Sequence, residues 1–190
     1  MSLKTKIIDQ VIGREKGYVN DPLDLGGETN WGVTEGVARA YGYHGPMKDM
    51  PRHVAEAVYA DLYWNCLRLD DVEAISPEIA AELADTGINM GVGMAGRFLQ
   101  RALNAFNDRG RLWPDLVVDG LVGPRTIGAL HEYARRRADQ GRRMMIDVML
   151  AALNAQQGHR YIDISEERQE NQRFTFGWFA HRVVTPALSL

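Results

Sequence analysis

Apolar residues recur at helical spacing along most of this chain. From Leu3 to Lys16, Ile8, Val11 and Ile12 share one face, and Lys4, Lys6, Asp9, Gln10 and Arg14 take the other. Thr34 to Tyr41 reads as a short helix with Thr34 as N-cap and Gly42 as terminator. Pro51 to Leu62 is helical in pattern, with Pro51 near the first turn and Val54, Val58 and Leu62 along one stripe. Ser76-Pro77-Glu78 is a strong helix start, carrying Ile79, Leu83 and Ile88 inward until Gly91 and Gly93 cap it. The stretch from Met94 to about Asn107 buries Phe98, Leu99, Ala102, Leu103 and Phe106, and Gly123-Pro124 opens a further helix. Met144 to Gln157 presents Met145, Val148, Met149, Ala152 and Leu153, with Gly158 as its stop. A last helix after Asn171 carries Phe174, Phe176, Trp178, Phe179 and Val183 and is expected to seal the core. The pattern predicts a mainly α protein.

One stretch breaks the periodicity. Glu15 to Thr34 is rich in glycine (Gly17, Gly26, Gly27, Gly32), and a connection of that length without regular structure is usually functional or disordered. Tyr18 and Trp31 inside it argue against disorder, so a Gly-rich active-site loop or a small hairpin around Asp21 to Thr29 is expected. Glu15 follows Ile12 by three positions and so extends the apolar stripe of the first helix. It has two readings: a frayed, solvated helix end, or a partly desolvated carboxyl beside a cleft. Desolvation raises a carboxyl pKa, which is what a general acid needs near neutrality. Asp24 comes nine residues later and Thr29 five after that. Two acids in unequal surroundings fit the logic of glycoside hydrolysis. A protonated Glu15 would donate to the leaving oxygen, an ionised Asp24 would stabilise positive charge at the sugar carbon or orient water, and the Thr29 hydroxyl would hold that water.

Composition narrows the classes. A chain of 190 residues with 45% hydrophobic content suits one domain or two small lobes, and a net charge of −3 makes no case for nucleic acid. The single Cys66 excludes an intrachain disulfide framework and is expected to be a buried, inert thiol. No apolar run is long enough for a membrane span. No signal peptide is expected, because Asp9, Arg14, Glu15 and Lys16 break the N-terminal apolar stretch. Neither the Asp21–Asp24 stretch nor Asp119 matches an EF-hand loop, so no metal and no cofactor is expected. Arg135 to Arg137 with Arg142 and Arg143 form a basic run, by default a solvated helix face and secondarily an attractor for an anionic polymer.

The segments Glu15-Lys16-Gly17-Tyr18 and Asp21-Pro22-Leu23-Asp24-Leu25-Gly26-Gly27-Glu28-Thr29-Asn30-Trp31-Gly32-Val33-Thr34 resemble the signature of glycoside hydrolase family 108. That family comprises N-acetylmuramidases found as phage or prophage endolysins, once described as secretion activator proteins. Its pattern runs Glu-Gly-Gly-Tyr, then Asp-Pro-x-Asp-x-Gly-Gly-x-Thr-x-x-Gly-Ile-Thr. This chain departs from it at Lys16 and Val33. Lys16 would lower the pKa of Glu15 if its ammonium came close. Further stretches resemble family segments: Tyr63-Trp64-Asn65, the Asp85, Asn89 and Gly91 spacing, and the Gly177-Trp178 to Arg182-Val183 close. Leu99-Gln100-Arg101-Ala102-Leu103 followed by Asp119-Gly120, Gly123 and Thr126 resembles the repeat of helical peptidoglycan-binding modules.

The resemblance implies a lysozyme-like helical fold, with residues 1–94 catalytic and residues 95–190 a peptidoglycan-binding-like region packed on them. It implies hydrolysis of the β-1,4 bond between N-acetylmuramic acid and N-acetylglucosamine, with Glu15 as catalytic acid. Tyr18, Asn20, Trp31, Tyr63, Trp64 and Asn89 are the expected substrate contacts. The partner would be cell-wall peptidoglycan. The chain would be made in the cytoplasm and act in the periplasm or on the wall after release, by way of a holin or another export system. Two alternatives stay open: a lytic transglycosylase, and a non-catalytic wall-binding or secretion accessory protein.

Overall fold

A computed structural model describes residues 1–14, 17–20 and 27–184. The chain divides into two compact units, Met1–Asn65 and Cys66–Leu190. Helix is the dominant structure in both, and no helix among the described residues is long and apolar enough to cross a membrane.

The first unit is built on α1 (Leu3–Arg14), which buries Leu3, Ile7, Ile8 and Ile12. Next come two short antiparallel strands, β1 (Thr29–Asn30) and β2 (Val33–Thr34), and then α2 (Glu35–Ala40) and α3 (Arg52–Tyr59). The core joins Ile8 and Ile12 of α1 to Val33, Ala38, Met47, Met50, Val58 and Tyr59. Pro51 caps α3 from outside, one position earlier than expected. After Tyr59 the helix widens into a π turn, Ala60–Asn65. This corrects the expected stripe. A π turn holds more residues than an α turn, so the i+4 projection from Val58 to Leu62 fails. Leu62 is exposed, and Tyr59 and Trp64 are buried instead. Cys66 is exposed, not buried, because Trp64 and Leu67 take the inward positions on either side of it.

The second unit contains α4 (Leu69–Ile75), α5 (Pro77–Met90), α6 (Val92–Phe106), α7 (Pro124–Arg137), α8 (Arg142–Glu167) and α9 (Gln172–Trp178), with a π turn at Phe179–Val183. Helix α5 starts as its sequence demands: the Ser76 hydroxyl accepts from the Ile79 amide and Pro77 occupies the first turn. Helix α5 packs on α6 and α8, and Ile79 and Leu83 of α5, Leu99 and Leu103 of α6 and Met149 and Leu153 of α8 are all buried, each such side chain contributing about 1.5–3 kcal/mol.

Several expectations need correction here. Gly93 lies inside α6 and caps nothing; only Gly91 ends α5. Gly158 does not stop α8, which runs on to Glu167. A Cβ at Gly158 would lie 3.2 Å from Cε1 of Phe179, so the glycine admits that ring against the helix. Val148 is 40% exposed, and the inner face of α8 is instead Met145, Ile146, Met149, Leu153 and Tyr161. Phe174 and Phe176 are exposed; sealing falls to Trp178 and Phe179, whose rings meet Tyr161 at 5.1 and 6.3 Å between centroids. The basic run is a solvated face: Arg135 and Arg136 pair with Glu132, and Arg143 with Asp147.

The connection from α6 to α7 has no regular structure but is held firmly. Gln100 and Asn104 on α6 and Asn107 at its C-cap follow one another at helical spacing and act as backbone substitutes. Asn104 donates to Leu116 O and accepts from Leu116 N–H, both at 2.8 Å. Gln100 donates to Asp119 at 2.8 Å and to Leu121 O at 3.1 Å, and accepts from Gly120 N–H at 2.8 Å. Asn107 accepts from Gly110 N–H at 3.0 Å. Gly120 turns with φ +85°, and a Cβ on Gly96 would sit 2.2 Å from Gly120 O, so the loop lies directly on the helix backbone.

Candidate functional site

The two carboxylates that carry the sequence argument, Glu15 and Asp24, lie outside the described residues, as does Lys16. What the structure describes is their frame in the first unit. Val19 and Thr29 form an antiparallel bridge, exchanging backbone hydrogen bonds of 2.8 and 2.9 Å. The two sides of the Asp24 stretch are thus tied together at Val19 and Thr29. Beyond the bridge, Asn20 Nδ2 reaches Glu28 Oε1 at 3.5 Å. Tyr18 and Asn20 are exposed and Thr29 is half-buried.

A small hairpin is formed by residues 29–34, while most of the Asp21 to Thr29 stretch, expected to form a loop or hairpin, lies outside the described residues. Its two-residue turn is Trp31-Gly32, with φ +53° and +76°. Positive φ at both positions is the type I′ geometry that matches strand twist. A left-handed tryptophan costs about 1–2 kcal/mol, and its surroundings offset this. Trp31 Nε1–H donates to Met50 O at 3.1 Å, and the Tyr59 hydroxyl donates to Trp31 O at 3.1 Å. Asn30, 4% exposed, faces inward and donates to Met47 O at 2.7 Å. Because side chains alternate along a strand, Thr29 projects from the opposite face, away from that core.

The aromatic candidates separate by burial. Tyr18 is 42% exposed. Trp31 and Tyr63 are half-buried against the core, with Tyr63 stacked 5.9 Å from Tyr59. Trp64 is 1% exposed and belongs to the interior, so its ring faces are occupied by protein.

Asn89 lies in the second unit, exposed near the end of α5, donating to Asp85 O at 2.7 Å. It borders a cavity of about 460 Å³ together with Met94, Arg160, Tyr161, Asn171 and Arg182. Asp85 beside it receives Nη1 of Arg182 on both carboxylate oxygens at 2.8 Å. The Tyr161 hydroxyl is buried without a partner among the described residues, and its pKa is pushed up to about 12, mainly by burial. A buried donor chain joins α8 to α5: Gln157 donates to the Thr86 hydroxyl at 3.1 Å, and Thr86 donates to Glu82 at 3.4 Å. Glu82, only 2% exposed, has its pKa pushed up to about 7, first by desolvation and then by the Asp85 carboxylate. Sequence reasoning passed over Glu82. The signal was available, since it is an acid between Ile79 and Leu83 in an alanine-rich apolar run, the same anomaly that singled out Glu15.

Among the described residues no group of three or more His, Cys, Asp or Glu side chains comes together to hold a metal. The Asn89 cavity of the second unit offers polar groups to a ligand: the Asn89 and Asn171 amides, the Tyr161 hydroxyl and the Arg160 and Arg182 guanidinium groups.

Comparisons with known proteins give two family matches. Residues 8–91 match the family model described as Glycosyl hydrolase 108, and residues 94–183 match one described as Predicted Peptidoglycan domain. Among solved structures, Brucella abortus SagA is similar in fold, with a TM-score of 0.51 at 22% identity, covering 97% of this chain and 98% of that one. No curated protein matches the chain significantly.

Proposed function

We propose that the chain, which matches the Glycosyl hydrolase 108 model over residues 8–91 and the Predicted Peptidoglycan domain model over residues 94–183, is an N-acetylmuramidase. It cleaves the β-1,4 bond between N-acetylmuramic acid and N-acetylglucosamine. The tandem of a glycosidase family match and a peptidoglycan family match, end to end in one chain, carries this reading.

Glu15, protonated, donates to the leaving glycosidic oxygen. Asp24, ionised, stabilises the oxocarbenium-like transition state or orients water. Thr29 supports that water, a role favoured by its half-exposed position at the bridge to Val19. Tyr18, Asn20, Trp31 and Tyr63 offer stacking and amide contacts to the sugars, and Asn89 offers an acetamido contact. Residues 1–94 serve catalysis and residues 95–190 serve the wall. The enzyme reaches the wall after release from the cytoplasm through a holin or another export route.

The test is reducing-end release and turbidity loss on purified cell walls, with fragments weighed by mass spectrometry. The parent protein releases full hydrolysis products, and Glu15→Gln and Asp24→Asn lose at least about a hundredfold in rate, the scale of general acid–base catalysis. Products lighter by one water overturn hydrolysis in favour of a transglycosylase. An inert parent, or an active Glu15→Gln, overturns the assignment altogether.

A further inference from the structure

The Trp31-Gly32 turn is held by more than its own hairpin supplies. Two strands of two residues each are too short to stand alone. The segment after α2 and the end of α3 supply the support. Asn30 Nδ2 donates to Met47 O at 2.7 Å and reaches Lys48 O at 3.4 Å. Trp31 Nε1–H donates to Met50 O at 3.1 Å. Tyr59, the last residue of α3, is buried with its ring stacked on Tyr63, and its hydroxyl donates to Trp31 O at 3.1 Å.

The last of these bonds has a particular target. Trp31 O belongs to the central peptide of the turn, the peptide whose reversal separates type I′ from type II′ geometry. Both types need positive φ at the first central position, so Trp31 does not choose between them. Only type I′ needs it at the second. Gly32, without a Cβ, accepts either sign, and its φ of +76° is the type I′ value. The Tyr59 hydroxyl holds the peptide in that sense, since reversal would turn Trp31 O away from it. Asparagine is the relaxed choice where Trp31 stands, and strain of this kind is kept where geometry matters. A change of turn type re-aims both strands. Thr29 lies on the first of them, and its amide and carbonyl are bound to Val19.

We infer that Tyr59 is a positioning residue: by holding the Trp31 carbonyl from inside the core it keeps the turn in type I′, and so aims the Thr29 hydroxyl at the sugar-cleaving site. The inference deepens the muramidase reading and rests on it.

The experiment measures kcat and KM on soluble, peptide-free cell-wall glycan for the parent, Tyr59→Phe, Gly32→Ala, Thr29→Ala and their pairwise combinations, with a thermal melt of each. Tyr59→Phe removes the hydroxyl and keeps the ring. Gly32→Ala penalises positive φ and so favours the reversed peptide from the other side, which carries the test if Tyr59→Phe does not fold. Each of these two variants should lower kcat by about tenfold or more and move KM by less than about twofold, the mark of an interaction made in the transition state. Added to Thr29→Ala, neither should cost anything further, because both act through Thr29. A role in stability alone would lower the melting temperature and leave the kcat of the folded protein as it was. Unchanged kcat in the folded variants, a loss carried by KM, losses that multiply with that of Thr29→Ala, or a Thr29→Ala variant as fast as the parent each overturns the inference and leaves the muramidase reading standing. An inert parent overturns both.

Discussion

Replacing Glu82 by Gln removes one buried acid and keeps an acceptor for Thr86 in its place. In the folded chain this carboxyl titrates at about 7 instead of 4.5. Desolvation is the chief cause and the Asp85 carboxylate adds to it, while Thr86 and Arg182 act in the opposite direction without prevailing. The native state therefore holds the proton more tightly than the unfolded chain does. The contribution to stability is complete below pH 4.5, is lost as pH rises from there to about 7, and stays level above that. A shift of about 2.5 units at 1.36 kcal/mol each amounts to roughly 3 kcal/mol.

Glu82→Gln escapes that loss because an amide does not titrate. Its second amide hydrogen needs an acceptor that Glu82 did not, which lowers the whole curve by a constant amount. The slope with pH is therefore the measurement. Urea unfolding between pH 4.5 and 8.5, read by hydrogen exchange of α5 amides, should give a parent profile steeper than that of Glu82→Gln. The excess approaches about 1.4 kcal/mol per pH unit near the middle of the interval. Glu82→Leu, apolar and likewise without a titration, should share the flatter slope whatever its offset. Parallel profiles for all three proteins would refute the claim that this carboxyl is buried as an acid.

Arg182→Ala should destabilise the second unit by about 2 kcal/mol, between the values for exposed and buried ion pairs, because Asp85 then loses both of its bonds. A double-mutant cycle with Asp85→Ala in thermal melts should return most of that as coupling; independent effects would contradict it. Gly96→Ala should destabilise by about 2 kcal/mol, although alanine is the better helix former by about 1 kcal/mol, because its Cβ would meet Gly120 O at 2.2 Å. A raised melting temperature for Gly96→Ala would show that the loop does not lie on the helix.

The helices were legible in the sequence because each advertises itself locally. Ser76-Pro77-Glu78 behaves in the structure as its side-chain chemistry requires, and of the stripes of α1 and α6, Ile8, Ile12, Phe98, Leu99, Ala102 and Leu103 are buried while Val11 and Phe106 are half-buried. What failed were residues whose role is set by a distant partner. Gly158 looks like a terminator because glycine ends helices for a local reason, yet here it makes room for Phe179, twenty-one positions on. Leu62 followed a correct rule into a turn with a different pitch.

Motif residues fall between these cases. Gln100 with Asp119, and Asp85 with Arg182, were each recognisable as parts of family patterns, but spacing along the chain carries no sign that they meet. Once they are seen as pairs, the patterns acquire a physical reason: one bond straps the α6–α7 loop onto α6, and the other ties the Phe179–Val183 turn to α5 beside Asn89. The same reasoning separates Glu15 from Glu82. Both are acids set into apolar stripes, so the stripe by itself does not distinguish a catalytic donor from a buried structural acid. The distinction comes from what surrounds each in the chain. Glu82 is flanked by alanines on one helix, whereas Glu15 is followed in the sequence by glycines and a second carboxylate, the composition on which its proposed acid role rests.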